Sequence, residues 1–491
     1  MKQRLVVVGN GMAGARFLEE LVRRGAGDRF EITIFGDEPR GNYNRILLSG
    51  VLNGTHAPDD ITLHPLDWYR THGITLRHGV RIEKIDRQQQ QVLVDDNSAQ
   101  PYDVLVLATG SRPFVPPVDG LRDAQGQLKS GVFVMRTLDD CARIASFAGG
   151  TARAAVIGGG LLGLEAARGL GRFGTHVSVI HRATHLMNQQ LDEKAGRMLQ
   201  RAIEKIGIEV LLGRDSREVL GHERVAGLAF SDGSTLACEM IVVACGIAPR
   251  VELAQACGLK VERAVVVDDQ MRSVDDAAIY AVGECAQHRG VAYGLVAPLW
   301  EQGRVLADVL SQRKPEAIYA GSKPSTKLKV LGVDVASMGE VEAREGDEEV
   351  LYSEPRRGIY KRLLIREGKL VGAILLGDLH AVAGLSQSFE RGTALPDERA
   401  ALLFDIEHGA ASSTSVANLP DEATICNCNG VSKGTIAKCV GAGAGSLEAV
   451  MSQTRAGTGC GSCKSQLKEL LQAAGAHATA QEAPQPVLRV A

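Results

Sequence analysis

Cys426-Asn427-Cys428 and Cys460-Gly461-Ser462-Cys463 gather four of the chain's ten cysteines near its C-terminal end. The pattern is C-x-C, a gap of thirty-one residues, then C-x-x-C. Four thiolates converging from two loops make a soft-sulfur site, which suits an iron–sulfur cluster or zinc. Two disulfides would belong in an oxidising compartment, which the rest of the chain does not suggest. Structural zinc sites mostly use C-x-x-C on both sides, so the C-x-C half favours a cluster. Such a cluster takes electrons one at a time, and something else in the chain must supply them.

The elements that would hold a donor begin at the N-terminus. Residues 5–8 are a continuous apolar run, as in a buried parallel strand, and Gly9-Asn10-Gly11-Met12-Ala13-Gly14 follows, ahead of a helix expected over 15–24. G-x-G-x-x-G between strand and helix permits a tight turn and close backbone approach, with the helix N-terminus facing a pyrophosphate. Alone the motif is weak, because such turns also serve packing. The next strand, 31–35, ends in Gly36-Asp37-Glu38, where a carboxylate would meet a ribose hydroxyl. Either Asp37 or Glu38 fits, and the other is a solvated loop acid. The unit recurs. Residues 154–157 lead into Gly158-Gly159-Gly160-Leu161-Leu162-Gly163 and a helix expected over 164–173. The second copy's strand 176–180 ends in His181-Arg182 instead of an acid. Basic chemistry there fits a 2′-phosphate, and with no acid to repel it NADPH would be tolerated beside NADH.

Composition narrows the class. A chain of 491 residues with net charge −3 and 45% hydrophobic residues holds about three domains and carries no electrostatic footprint for nucleic acid. No apolar run is long enough for a membrane span, and residues 1–4 run straight into the first strand without a signal peptide. A soluble cytoplasmic protein is expected. Cys141, Cys238, Cys245, Cys257, Cys285 and Cys439 are scattered and read as reduced core residues.

Further segments carry a resemblance. Ala108-Thr109-Gly110-Ser111-Arg112-Pro113 stands between the two glycine turns, and Tyr280-Ala281-Val282-Gly283-Glu284-Cys285-Ala286 follows the second. Together these resemble the two-dinucleotide flavoprotein reductases, in which an FAD-binding domain is split by an inserted NAD(P)H-binding domain. Phe35-Gly36-Asp37-Glu38-Pro39, Tyr43 to Ser49, Gln190-Leu191-Asp192 and Tyr293 to Gln302 are most similar to the assimilatory NAD(P)H nitrite reductase large subunit and the electron-transfer subunit of assimilatory nitrate reductase. The four-cysteine pattern resembles bacterioferritin-associated ferredoxin, which holds a [2Fe–2S] cluster between short helices.

The resemblance implies an α/β fold with two Rossmann-like domains, a small α+β interface domain and a small helical [2Fe–2S] domain. The boundaries it implies are 1–115 and 250–315 for FAD, 116–249 for NAD(P)H, and 320–404 for an interface domain whose usual role is packing and dimerisation. A flexible linker over 405–422, a cluster domain over 423–475 and a disordered tail over 476–491 complete the chain. It implies that Gly9, Gly11, Gly14, Asp37, Glu38, Tyr43, Arg45, Ser49, Thr109, Gly110, Arg112, Gly283 and Glu284 bind FAD. Glu284 replaces the usual Asp. Gly158, Gly160, Gly163, His181 and Arg182 would bind the nicotinamide coenzyme. Trp300 and Glu301 match a segment beside the flavin and nicotinamide rings, and Glu165 matches a Glu near the nicotinamide. For Trp300 the bland reading is a core aromatic, and for Glu165 a surface helix carboxylate. Cys426, Cys428, Cys460 and Cys463 would ligate the cluster.

A nicotinamide gives a hydride and a cluster takes single electrons, so a flavin is the converter these parts require. The lysine that approaches the flavin in related ferredoxin reductases is absent from residues 46–50, and the flavoprotein half has no paired redox cysteines. The nitrite reductase large subunit that the chain resembles continues into a region with four more cysteines and none follows Cys463 here, so the resemblance implies a separate catalytic subunit, a nitrate or nitrite reductase, as the expected partner. Two other readings stay open. One is a flavoprotein subunit of an amine, opine or amino-acid dehydrogenase; the other is an iron-mobilising reductase acting on a bacterioferritin. Lys433, Lys438, Arg455, Lys464 and Lys468 flank the cysteines, either as a solvated surface or as a basic docking face.

Overall fold

The computed structural model describes residues 1–404, 416–459 and 461–481, with 475–481 described as helix only. The fold divides into two compact units. The first comprises Met1–Leu186 and Ile203–Ser322; the second comprises Met187–Ala202 and the described residues from Lys323 onward.

The first unit contains two parallel five-stranded sheets. In one, the order is Ile279–Ala281, Val104–Leu107, Gln3–Val8, Phe30–Gly36, Ile74–His78. Leu5, Val7, Leu105, Val106 and Ile34 are fully enclosed, as strands covered on both faces require. In the other, Val132–Val134, Met240–Val243, Arg153–Ile157, His176–His181 and Glu209–Leu212 repeat the arrangement. Each central strand runs into a glycine turn and a helix, Met12–Arg23 in the first copy and Leu161–Gly171 in the second. Both helices start about three residues earlier than the apolar pattern predicts, because Gly11 and Gly160 are the extended residues that precede the first helical turn.

The second unit is built on an antiparallel sheet in the order Ser325–Val330, Val333–Gly339, Lys369–Leu376, Ile359–Arg366, Glu348–Glu354, with the helix Val382–Arg391 on it. Met187–Ala202, expected inside the NAD(P)H-binding domain, belongs to this unit. Buried Asp192 explains why: it accepts from Tyr360 Oη and pairs with Arg362 Nη1 at 3.0 Å on the sheet's Ile359–Arg366 strand.

The C-terminal part of the second unit has a short hairpin, Thr424–Cys426 with Val431–Ser432, and the helices Lys433–Gly441, Leu447–Thr454 and Lys464–Gln481. Two expectations shift here. Residues 405–415 of the expected linker lie outside the described residues, but 416–422 are packed: Val416 and Leu419 are buried, and Val416 N donates to Glu469 Oε1 at 2.9 Å. The composition is polar, yet these two apolar side chains find a helix to cover. The last helix reaches Gln481, six residues into the expected tail, through an alanine-rich stretch of high helix propensity; residues 482–491 lie outside the described part. Among the described residues no helix is long and apolar enough to cross a membrane.

Candidate functional site

The first glycine turn is shaped by three different demands. Gly9 has φ +115°, and a Cβ there would overlap the Ala108 carbonyl; one on Gly14 would overlap the Gly9 carbonyl. A Cβ on Gly11 would meet nothing within 4 Å, because that side opens into a cavity of about 270 Å³. Gly9 and Gly14 therefore bring strand and helix together, while Gly11 clears the mouth of the helix.

The two carboxylates at the end of Phe30–Gly36 separate by environment. Glu38 accepts from Tyr43 Oη at 2.6 Å and Arg45 Nη2 at 2.5 Å inside the cavity. Asp37, more exposed, pairs with Arg250 Nη1 at 2.8 Å. Burial pushes the Tyr43 phenol well above its ordinary pKa, which keeps it a neutral donor to Glu38. Arg45 also donates to the Arg136 carbonyl at 3.0 Å, and Arg136 in turn pairs with Glu284. Ser111 Oγ donates to the same Glu284 oxygen at 2.6 Å. The longer Glu thus has two partners on the cavity wall, Arg136 and Ser111. Asn10 is fixed as well: it accepts from Tyr69 Oη at 2.7 Å, and its carbonyl accepts from Asn42 Nδ2 at 3.0 Å. Burial raises the Tyr69 phenol to about 12.

These features fit a dinucleotide such as FAD. Arg40, Arg45, Arg136 and Arg250 line the cavity with the open Gly11 edge, and Arg136 Nε is buried without a hydrogen-bond partner among the described residues. Thr109 and Gly110 also line it, with Thr109 Oγ1 donating to the Arg250 carbonyl at 2.8 Å. Ser49 and Arg112 are not on this wall. Ser49 lies in the helix Leu48–Asn53, and exposed Arg112 pairs with Glu252 at 3.2 Å. Gly283, at φ +91°, donates its N–H to Gln302 Oε1 at 2.8 Å.

The second turn is assembled in the same way. A Cβ on Gly158 would overlap the Ala244 carbonyl and one on Gly163 the Gly158 carbonyl, while Gly160 faces open space. His181 Nδ1 accepts from Gly159 N–H at 3.2 Å, so the ring braces the turn. Arg182 is exposed at the strand end, and Glu165 is half-buried on Leu161–Gly171. The structure puts Trp300 and Glu301 on the helix Val296–Leu310, away from the cavity lining. Trp300 is 6% exposed with the Arg16 guanidinium over its ring, as a core aromatic would be. Glu301 accepts from Ser322 Oγ at 2.5 Å.

The cysteine site draws on two loops. Cys426 ends a strand of the hairpin, Cys428 follows two residues later, and Cys463 immediately precedes the helix Lys464–Gln481. All three are buried; Cys460 lies outside the described residues. The Cys426 and Cys428 sulfurs are 3.5 Å apart. Hydrogen bonds from Cys428 and Cys463 hold the Cys426 thiol well below the ordinary cysteine range, which favours the ligating thiolate. Asn429 Nδ2 donates to the Arg455 carbonyl at 2.7 Å and to Thr458 Oγ1 at 3.2 Å, tying one cysteine loop to the other. A Cβ on Gly459 would overlap Cys428 Sγ. Clustered soft sulfur donors of this kind fit a [2Fe–2S] group.

The pattern described as Pyridine nucleotide-disulphide oxidoreductase matches residues 3–324. The chain belongs to the pyridine nucleotide-disulphide oxidoreductase family. The Rubredoxin NAD+ reductase C-terminal domain matches residues 324–393 and the BFD-like [2Fe-2S] binding domain residues 424–473. FAD, NAD(P)H and [2Fe–2S] are the cofactors of these parts. In this member of the family Cys141, Cys238, Cys245, Cys257 and Cys285 are unbridged. Nitrite reductase [NAD(P)H] of Bacillus subtilis (strain 168) is 43% identical over 475 residues, 96% of this chain and 58% of that protein. The assimilatory nitrate reductase electron transfer subunit of the same organism is 42% identical over 474 residues, 96% of this chain and 60% of that protein. The chain thus spans about three-fifths of the length of these relatives. Among solved structures, the ferredoxin reductase for the CYP199A2 system from Rhodopseudomonas palustris matches with a TM-score of 0.73 and 25% identity, covering 81% of this chain and 97% of that one.

Arg136, Asn10, Gln302 and Gly459 were not singled out by the sequence. Arg136 sits in a loop with no motif of its own, just before the capping box of Leu138–Ala148. Ser111 and Gly459 lay within or beside motifs, and only the packing distinguishes them from their neighbours.

Proposed function

We propose that this protein oxidises NAD(P)H, with NADH favoured, and passes electrons through FAD and a [2Fe–2S] cluster to a separate catalytic subunit that reduces nitrate or nitrite. The observation that carries this reading is the presence, in one chain, of two dinucleotide turns of the same construction and a converging set of thiols. When bound, the flavin supplies the conversion between a two-electron hydride and single electrons. Gly11 and Gly160 leave room for pyrophosphate at two helix N-termini. Arg136 and Ser111 hold the Glu284 carboxylate on the wall of the first cavity, and Tyr43 and Arg45 hold Glu38 there. His181 braces the second turn, and exposed Arg182 stands where a 2′-phosphate would come. Unbridged cysteines in the flavoprotein half support a path without a redox disulfide, and the name of the second Bacillus relative supports the role of electron-transfer component.

The test is an anaerobic titration of the purified holoprotein with NADH, following flavin absorbance and the cluster's electron paramagnetic signal together. Bleaching of the flavin and appearance of the reduced-cluster signal are expected. Stoichiometric zinc without iron or sulfide, or a flavin that NADH does not reduce, would overturn the reading.

A further inference from the structure

The cluster domain gathers basic side chains around its cysteines. Residues 416–473 contain five Lys and Arg against four Asp and Glu, so the domain is close to neutral as a whole and its cations matter by position. The structure sorts these charges. Lys433 is turned inward, donating to the Leu419 carbonyl at 2.7 Å and pairing with Asp421 at 3.8 Å, and Glu469 is engaged by Val416 N–H, while Glu422 is exposed. Glu448 lies in the first turn of Leu447–Thr454, about 10 Å along the helix from the end that meets the cysteine loop. Lys438, Arg455, Lys464 and Lys468 are exposed.

Two of these exposed cations sit at the cysteines. Lys464 follows Cys463 directly, and its aliphatic stem lies beside the positions where Gly457 and Gly461 would carry a Cβ. Arg455 closes Leu447–Thr454 with φ +60°, a left-handed conformation that favours glycine over other residues. Its carbonyl is the one held by Asn429, the residue after Cys428, so its backbone is fixed at the junction of both cysteine loops. An arginine at a glycine-favouring position beside the thiols points to a use for its charge.

We propose that Arg455 and Lys464, backed by Lys468, form a cationic rim through which the cluster domain docks an acidic protein surface around the partner's electron-accepting centre. This rests on the proposed exit of electrons from the cluster. Opposite charge raises the encounter rate and selects orientation more than it adds affinity, and it weakens with salt.

Cytochrome c in native, basic form and in succinylated, acidic form is the probe, because the haem is the same and only the surface charge differs. Each NADH supplies two electrons, reducing two ferric haems and releasing one proton. The holoprotein is expected to reduce the succinylated form about tenfold faster at low salt, with the two rates converging at high salt. Arg455→Gly combined with Lys464→Gln should remove most of that preference, while Arg455→Lys keeps it. Direct binding, read by fluorescence anisotropy of labelled succinylated cytochrome c at low salt, should weaken in parallel. Arg455→Gly relieves the backbone, so iron content and melting temperature should hold or rise; a purely structural Arg455 would leave transfer and binding unchanged. The same comparison on protein reduced with dithionite, freed of excess reductant by gel filtration, separates this proposal from the NADH pathway: a charge preference seen only with dithionite overturns the pathway and keeps the rim. Equal rates for both cytochromes, or variants that retain the preference and the binding, would overturn the rim.

Discussion

At the scale of residues, each dinucleotide turn gives its glycines different roles, and those roles predict different failures. Gly9→Ala must adopt φ +115° and displace the Ala108 carbonyl, so it should lose both FAD and stability. Gly11→Ala meets no protein atom within 4 Å, so it should keep the fold and lose FAD affinity. Flavin content and melting temperature of the two variants check this: the melting temperature should fall markedly only for Gly9→Ala once FAD has been stripped from both proteins. At the second turn, Arg182→Ala should raise KM for NADPH by about tenfold or more while barely changing that for NADH. Equal effects on both would remove Arg182 from the phosphate site. The glycines were legible because their chemistry is local: spacing within a turn fixes it. The partners of Glu284 were not, because Ser111 and Arg136 are 173 and 148 residues away in sequence and only the fold brings them to one oxygen. Trp300 shows the same limit, since its segment matches a motif while its packing puts it under Arg16.

At the scale of elements, the Ile359–Arg366 strand holds an unusual run of enclosed polar groups: Tyr360 and Arg362 on Asp192, with Lys361 between them on Asp378 at 2.7 Å. Arg362 also pairs with Glu349 at 2.6 Å. Arg362→Leu leaves Asp192 and Glu349 without their cation, and should destabilise the second unit by about 3–5 kcal/mol in urea unfolding. The strand lies inside the interface domain expected over 320–404; its polar partner was not legible, because the Gln190-Leu191-Asp192 motif does not reveal which unit its acid will join. A second element-level prediction concerns acid. Arg289, then His288, hold the Asp269 carboxyl down to about 2. A depressed carboxylate contributes stability that is present above its unfolded pKa of about 4 and lost as pH falls toward about 2. The melting-temperature gap between wild type and Asp269→Asn should therefore be steady from neutral pH down to about 4 and close below it.

At the scale of the whole molecule, the two sets of functional groups should be separable. Cys426→Ser or Cys463→Ser should abolish the cluster's absorption and paramagnetic signal while leaving FAD bound, since these cysteines belong to the second compact unit and the first glycine turn to the first. A chain ending at Phe404 should still reduce ferricyanide from NADH and fail to serve the partner. The order of the parts was legible from motifs alone, because each part carries a local signature. Their grouping was not: Met187–Ala202 falls inside the expected 116–249 domain, and nothing in the Gln190-Leu191-Asp192 motif tells that the segment packs elsewhere. That excursion has a consequence for descent and for engineering. The backbone passes between the compact units at three places: after Leu186, after Ala202 and after Ser322. A recombination event joining two genes at Ser322 would strand Asp192 and the buried Leu191, Ala195 and Leu199 without the strand and core they were shaped for. One falling beyond Phe404 would break none of these pairings. A crossover beyond Phe404 therefore leaves this core intact and costs the sheet contacts such as Lys327 Nζ to Gln466 Oε1, whereas the antiparallel sheet must be inherited together with the segment Met187–Ala202. Chimaeras that swap only the segment beyond Phe404 should be recovered as soluble holoflavoproteins far more often than those spliced at Ser322.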